Sequence, residues 1–489
     1  MKIRSVKTNY LLSLTRILST TLIGVITMPY INKILGAVSI GKVEYINSII
    51  SYFLLISALG IPVYAVRQIA KHRNDPLALG KNVVEILVIL IFTTFLSYLA
   101  IFCLIKFTDI FIDYKSLVII LSSSILLTNL GIEWFYQGIE DQLYITVRFV
   151  VIRIITLILL FLLVKSADDY LYYAFILVLN AAGSNFFNLL RLRKHVSINK
   201  TTFLDLNFKR HLMPALTIFI ASISVSLYQI IDTFLLGYLQ GDKYVGYYSV
   251  ANKLMRYVVL FIVTIGAVLL PRLSNLWEVD KNKYFEYLNK SLELILLISL
   301  PFVPFFIYSA NGIIHFMAGE DFKESILTMQ LLSPVCVLVG LAYFFGYLVL
   351  YPQNKEKYYT ISVTISAILC FFLNFYLINL FKQNGAAIAQ VLAELLGIFL
   401  IFYFSIKHAS LRTFNYKNIK KIIVANLFVG LFGFILFKVD VIELAQISIF
   451  YFLTYCIVFF IAYYFLLLLI KERNTLSYTR HYYKLILKK

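Results

Sequence analysis

Arg16, Arg148, Arg153, Lys253 and Arg256, together with Glu85, Glu133, Asp232, Glu293 and Glu394, each fall inside a long apolar stretch of the chain. A charge at mid-bilayer costs about 2.5–3.5 kcal/mol on insertion scales, so such residues face a partner or a cavity rather than lipid. Depth sorts them. Glu85 and Glu293 lie close to the inner ends of their segments and are expected to reach water. Arg16 and Arg148 are a little deeper, within snorkelling distance for a long stem. Arg153, Arg256 and Glu394 are deepest. Lys253 and Arg256 stand at i and i+3, so they share one helix face.

Buried guanidinium groups match phosphate oxygens two at a time, which makes Arg16, Arg148, Arg153, Lys253 and Arg256 candidate contacts for an anionic substrate. The competing reading is structural ion pairing, since the basic and acidic residues above are equal in number. Asn47 and Asn252, just inside two helix ends, suit either interhelical hydrogen bonding or a polar substrate contact. Glu133, Asp232 and Glu394 are candidates for gating or ion coupling.

One stretch, GIEWFYQGIEDQ at 131–142, follows a charge-free run that begins at Leu117. Helical spacing places Glu133, Gln137 and Glu140 on one face, beside the start of the segment that carries Arg148 and Arg153. Trp134 and Tyr136 fit an interfacial aromatic belt. Glu133 is thus expected as an ion-pair partner or gate at an inner mouth.

The elements that must hold these residues follow from composition. The 489 residues are 61% hydrophobic and 14% charged, with a mean hydropathy of +0.85. Soluble domains carry nearer a quarter of charged residues, so the class is a polytopic membrane protein. A span needs about 20 apolar residues. Fourteen segments qualify, from 10–35 to 446–470, and a lipid-exposed backbone makes them all helical. Lys2, Arg4 and Lys7 precede the first span as in a signal peptide, but the span is too long for one and is read as retained.

The net charge of +19 is a matter of topology. With the N-terminus inside, most Lys and Arg fall on the inner loops, which places both termini in the cytoplasm. No nucleic-acid-binding module is evident. Cys103, Cys336, Cys370 and Cys456 all lie in apolar spans without paired spacing and read as small buried hydrophobes.

At an offset of 205 the chain matches itself: Ser19/Ser224, Gly36/Gly241, Gly41/Gly246, Asn47/Asn252, Tyr52/Tyr257, Arg67/Arg272 and Asp75/Asp280. The expected architecture is therefore two six-helix lobes, 1–195 and 211–410, related by a parallel internal repeat. A cytoplasmic linker at 196–210 joins them. Two further helices and a basic tail occupy 411–489.

With these features in view, the chain resembles a bacterial polysaccharide flippase of the Wzx type, within the MOP exporter superfamily. EWFYQGIEDQLYI (133–145) is similar to that family's [DE]WxxQGxE stretch. ILGAVSIGKVEYINSI (34–49) and VGYYSVANKLMRYV (245–258) resemble its LG…G.Y segments, although Lys42-Val43-Glu44-Tyr45 stands where the family often has Tyr directly after Gly. Residues 331–359 and 385–399 look like its tenth to twelfth spans. The last two spans resemble the added groove-forming helices of lipid II flippases.

The resemblance implies transport of an undecaprenyl-diphosphate-linked oligosaccharide from the cytoplasmic to the periplasmic leaflet of the bacterial inner membrane, for O-antigen or capsule synthesis. It implies alternating access around a cationic cavity, no cofactor beyond coupling to an H⁺ or Na⁺ gradient, and polysaccharide polymerase and chain-length machinery as partners. Tyr and Phe, 36 and 42 in number, offer stacking faces for sugar rings, although most are expected to face lipid or the core. A drug or cation exporter of the same superfamily is the alternative; it would favour an acidic cavity. A membrane-embedded polymerase needs a substantial outer loop with catalytic groups. The longest here, 310–324, offers only His315, Glu320 and Asp321, which read as a solvated loop.

Overall fold

The computed structural model describes residues 6–196, 206–412, 414–438, 449–472 and 475. Most of the expected linker (197–205), the turn between the last two spans (439–448) and the basic tail beyond 475 lie outside them. Among the described residues all regular structure is helical, and eleven runs are long and apolar enough to cross a membrane.

The first run, Thr15–His72, has 58 residues, roughly 87 Å of helix against the ~30 Å of a hydrocarbon core. It is more than one crossing. Helix α1 (Val6–Ala58) breaks at Gly36, whose φ of 70° and ψ of 174° leave the helical region. Two further apolar helices fall short of span length over their described side chains, within α9 (Lys209–Gln240) and α18 (Ile449–Leu469). With the first run divided at Gly36 and these two added, the helices accommodate fourteen crossings.

Contacts gather the chain into two compact units, Met1–Gly237 with Gly241–Gly246, and Tyr238–Gln240 with Tyr247–Lys489. In the first, α2 (Ile61–His72) and α3 (Pro76–Phe107) are joined by a tight turn. Asp75 caps α3 by accepting from the Leu77 and Ala78 amides, and Pro76 occupies the position where a missing N–H costs nothing. Helix α4 (Lys115–Asn129) stops before Gly131, and Ile132 takes a left-handed φ of 42°. The chain restarts as the six-residue α5 (Glu133–Gly138), followed by α6 (Gln142–Leu163), α7 (Tyr170–Ala182) and α8 (Phe186–Leu192).

This break changes the reading of 131–142. Trp134 and Tyr136 are buried with Phe135, Ile61, Val83 and Ile86 rather than set in an aromatic belt, and the Tyr136 hydroxyl donates to the Asn188 carbonyl at 2.8 Å. A six-residue helix packed on α2 buries its aromatic face where a continuous span would have carried it to the interface. Glu140 leaves the expected face as well. The helix ends at Gly138, Glu140 adopts φ 60°, and its carboxylate meets Arg73 at 2.8 Å.

The second unit contains α10 (Asp242–Val279, most of it), α11 (Lys281–Ser299), α12 (Phe302–Ala318), α13 (Ser325–Leu332), α14 (Val335–Tyr343), α15 (Glu356–Phe381), α16 (Gln383–His408), α17 (Tyr416–Lys438) and α18. Its core packs Tyr284, Leu288 and Ile295 against Phe344, Leu348 and Val349 of a π-helical turn, Phe344–Leu350, that extends α14.

Two repeated positions keep the same backbone role in both copies. Gly241 (φ 90°, ψ 177°) breaks the chain between α9 and α10 as Gly36 breaks α1. Only glycine enters this region without strain. Asp280 caps α11 as Asp75 caps α3, accepting from the Lys283 amide at 3.1 Å. That amide holds the Asp280 carboxyl below its ordinary range.

Candidate functional site

The expected charge cluster centres on Glu133, in the first unit. Its position at the first residue of α5 follows from the Ile132 break, which turns the carboxylate inward. Arg148, one and a half turns into α6, reaches Glu133 Oε2 at 2.9 Å, and Arg16 of α1 reaches Oε1 at 3.4 Å. Gln137 Nε2 donates to the same Oε1 at 3.2 Å. One carboxylate thereby joins three helices.

Arg148 is only 7% exposed. It is further held by Ser184 Oγ and Asn185 Oδ1, each at 3.0 Å. Arg16 donates to Gln142 Oε1 at 3.1 Å. A buried guanidinium with one carboxylate and two neutral acceptors is compensated but not saturated: Arg148 Nε has no hydrogen-bond partner. A second anion entering here would meet donors that are already oriented.

The remaining candidates distribute as follows. Arg153, further along α6, sets its guanidinium 4.9 Å above the Phe149 ring. Asn47 is half-buried, and Asp232 almost fully buried. In the second unit Asn252, Lys253, Arg256 and Glu394 are all half-buried. Arg256 Nη2 is a buried donor without a hydrogen-bond partner. His315 and Glu320 form an open pair at 2.8 Å on a solvated loop.

Glu85 departs from expectation. It does not reach water but is fully buried, because the start of α9 folds over it. Glu85 Oε1 accepts from the Asn207 amide at 2.8 Å. Its Oε2 accepts from Arg210 Nε at 2.8 Å and from His211 Nε2 at 2.6 Å. The Tyr64 hydroxyl lies 2.8 Å from His211 Nδ1; because the carboxylate accepts from Nε2, a neutral imidazole presents Nδ1 to Tyr64 as an acceptor. Glu293 is also buried, at 3% exposure. Distance along a helix measures depth, and it carries no information on what another segment lays over the end.

Sequence reasoning also missed a tyrosine ladder in the second unit. Tyr343, Tyr347 and Tyr351 stack with centroids 4.6 Å apart at each step, and Tyr359 sets its edge against Tyr347 at 5.1 Å. The π-helical turn that aligns the ladder is a local distortion of a kind that recurs at functional sites. The i, i+4, i+8 spacing was visible, but regular helix geometry would not have stacked the rings.

The helices and the buried cation cluster define a multi-pass membrane protein with the fold of MOP-superfamily transporters. A lipid II flippase, MurJ, in an inward closed conformation superposes with a TM-score of 0.68 at 18% identity, over 93% of this chain and 97% of that one. An inward-facing multidrug resistance MATE family transporter of the MOP superfamily gives 0.61 at 14%, over 83% and 94%. The chain belongs to the polysaccharide biosynthesis protein family, which it matches over residues 6–277; residues 217–351 also match the MatE family. It is 24% identical to the "Putative O-antigen transporter" of Escherichia coli K12, over 79% of this chain and 93% of that protein. A protein of the same description from Shigella dysenteriae is 23% identical, over 76% and 92%. The Wzx-type, MOP-superfamily resemblance read from the sequence therefore stands.

Proposed function

We propose that the chain flips an undecaprenyl-diphosphate-linked oligosaccharide from the cytoplasmic to the periplasmic leaflet of a bacterial inner membrane, feeding a polysaccharide polymerase and its chain-length machinery. The observation that carries this reading is the extent of likeness: the O-antigen transporters are matched over more than nine-tenths of their own length. The shared part is thus a whole transporter and not one module. The two repeat lobes, 1–195 and 211–410, alternate access. Arg16, Arg148, Arg153, Lys253 and Arg256 neutralise the diphosphate, while Asn47 and Asn252 meet sugar hydroxyls. Glu133, Asp232 and Glu394 respond to a coupling ion.

The drug-exporter reading shares the fold but asks for an acidic binding surface. The buried donors of Arg148 and Arg256 favour an anion. Reconstitution into proteoliposomes with defined lipid-linked oligosaccharides, with and without ion gradients, tests the proposal directly: flipping of the diphosphate-linked substrate is expected, and its absence alongside export of organic cations overturns it. In cells, Arg256→Ala is expected to leave the protein in the membrane and lower surface polysaccharide at least about tenfold, the worth of one charge-assisted contact. Near-normal polysaccharide would remove Arg256 from the substrate path.

A further inference from the structure

On the first unit's outer surface, α6 and α8 enclose an open groove of about 580 Å³. Its apolar wall is Val147, Val151 and Ile155 from α6 with Phe187 and Leu190 from α8, all roughly half exposed. Val147, Val151 and Ile155 are spaced at i, i+4 and i+8, so they form one stripe about 12 Å long. That is less than half of a hydrocarbon core, the depth of one leaflet.

The other end of the groove is cationic. Arg148, Arg191 and Lys194 line it. Tyr144 joins its two sides: the hydroxyl donates to the Phe187 carbonyl at 3.0 Å, and Arg191 stacks 4.0 Å above the ring. Arg148 shares Glu133 with Arg16, and Arg191 pairs with Asp141 at 3.1 Å. Lys194 is exposed and forms no ion pair among the described residues. His195 beside it adds no charge, since burial and the neighbouring Arg191 push its imidazole below the ordinary range. The groove mouth therefore carries a surplus of positive charge, and the buried Arg148 Nε has no hydrogen-bond partner.

We propose that this groove is a binding site for an anionic phospholipid of the cytoplasmic leaflet. One acyl chain lies along Val147, Val151 and Ile155, and the phosphodiester sits against Arg148, Arg191 and Lys194. A cationic recess at the inner ends of membrane helices suits a phosphate headgroup, and the positive-inside bias puts this end on the cytoplasmic side. The surplus positive charge suits an anionic phosphodiester. The groove shares Arg148 with the proposed substrate path, whereas Arg191 and Lys194 belong to the groove alone.

The test is native mass spectrometry of the purified full chain with phosphatidylglycerol, phosphatidylcholine or a polyprenyl diphosphate added at equal concentration. Phosphatidylglycerol is expected to be retained about tenfold better than phosphatidylcholine, a preference that Lys194→Gln abolishes and Lys194→Arg restores. Lys194 is exposed, so its substitution leaves the fold intact, which an unchanged melting temperature will verify. Equal retention of the two phospholipids, or a preference unchanged in Lys194→Gln, overturns the proposal. So does displacement of phosphatidylglycerol by the polyprenyl diphosphate, which would assign the groove to the substrate's own lipid.

Discussion

Glu133 shows what a single residue's sequence context does and does not reveal. An acid embedded in an apolar run must find a cation, and the sequence sets Glu133 beside the segment that carries Arg148 and Arg153. Arg148 is found on it at 2.9 Å, together with Arg16 of α1, which the sequence did not single out as its partner, at 3.4 Å. Ser184 and Asn185, which complete the Arg148 shell, carry no sequence signal, because polar residues at a helix end are usually explained by water. Neutralising Glu133 strands a guanidinium that is 7% exposed. Removing one partner of such a buried pair costs about 3–5 kcal/mol. Glu133→Gln is therefore expected to lower the thermal stability of the detergent-purified protein sharply. The double variant Glu133→Gln/Arg148→Met leaves only the less buried Arg16, still held by Gln142, without its carboxylate, and is expected to recover most of it. The recovered protein then separates roles: if Arg148 touches substrate, the double variant is folded and inactive in proteoliposomes, whereas full transport would leave Arg148 a purely structural cation.

At the scale of elements, the hydrophobic runs located the crossings well, because twenty apolar residues in lipid leave the backbone no alternative to helix. The breaks inside runs were less legible. Gly36 and Gly241 announced themselves by repetition. The Ile132 break did not, since a non-glycine residue at positive φ has no sequence mark, and the misplacement of Trp134, Tyr136 and Glu140 follows from it. Repetition also has a physical counterpart in the first unit. A Cβ on Gly41 would fall 1.7 Å from the Asp242 carbonyl oxygen, and one on Gly246 would fall 2.0 Å from the Ala37 carbonyl oxygen. The offset that maps 41 to 246 also maps 37 to 242, so the two contacts exchange under the repeat, as in an isologous interface. Backbone oxygens cannot swing aside like a side-chain end. Gly41→Ala and Gly246→Ala are each expected to destabilise by about 1–3 kcal/mol, and by similar amounts. The double variant should cost less than the sum, because the first substitution already parts the two segments that the second would part. Melting temperatures of the four proteins close this cycle; additive effects would show that the contacts are independent and the pseudo-symmetry incidental.

For the whole molecule, the charge pattern is the evidence for orientation, and it makes a sided prediction. Basic residues gather on one set of connections, which include the α10–α11 turn around Lys281 and the ends of α2 and α8 at Arg73 and Arg191. The opposite set, with the 3₁₀ turn at Ala167–Asp169, is close to balanced. The positive-inside rule counts Lys and Arg on short connections such as these, and among the described residues no long loop intervenes to weaken it. The native cysteines leave the surface free for labels: Cys336 and Cys370 are buried, and Cys103 and Cys456 lie on apolar helices. Single cysteines placed at Asp168 and at Lys281 test the orientation. A membrane-impermeant maleimide applied to intact spheroplasts is expected to label Asp168→Cys at once and Lys281→Cys only after the membrane is opened. The opposite pattern would invert the protein, and with it the direction in which the basic face pulls a phosphate-bearing lipid.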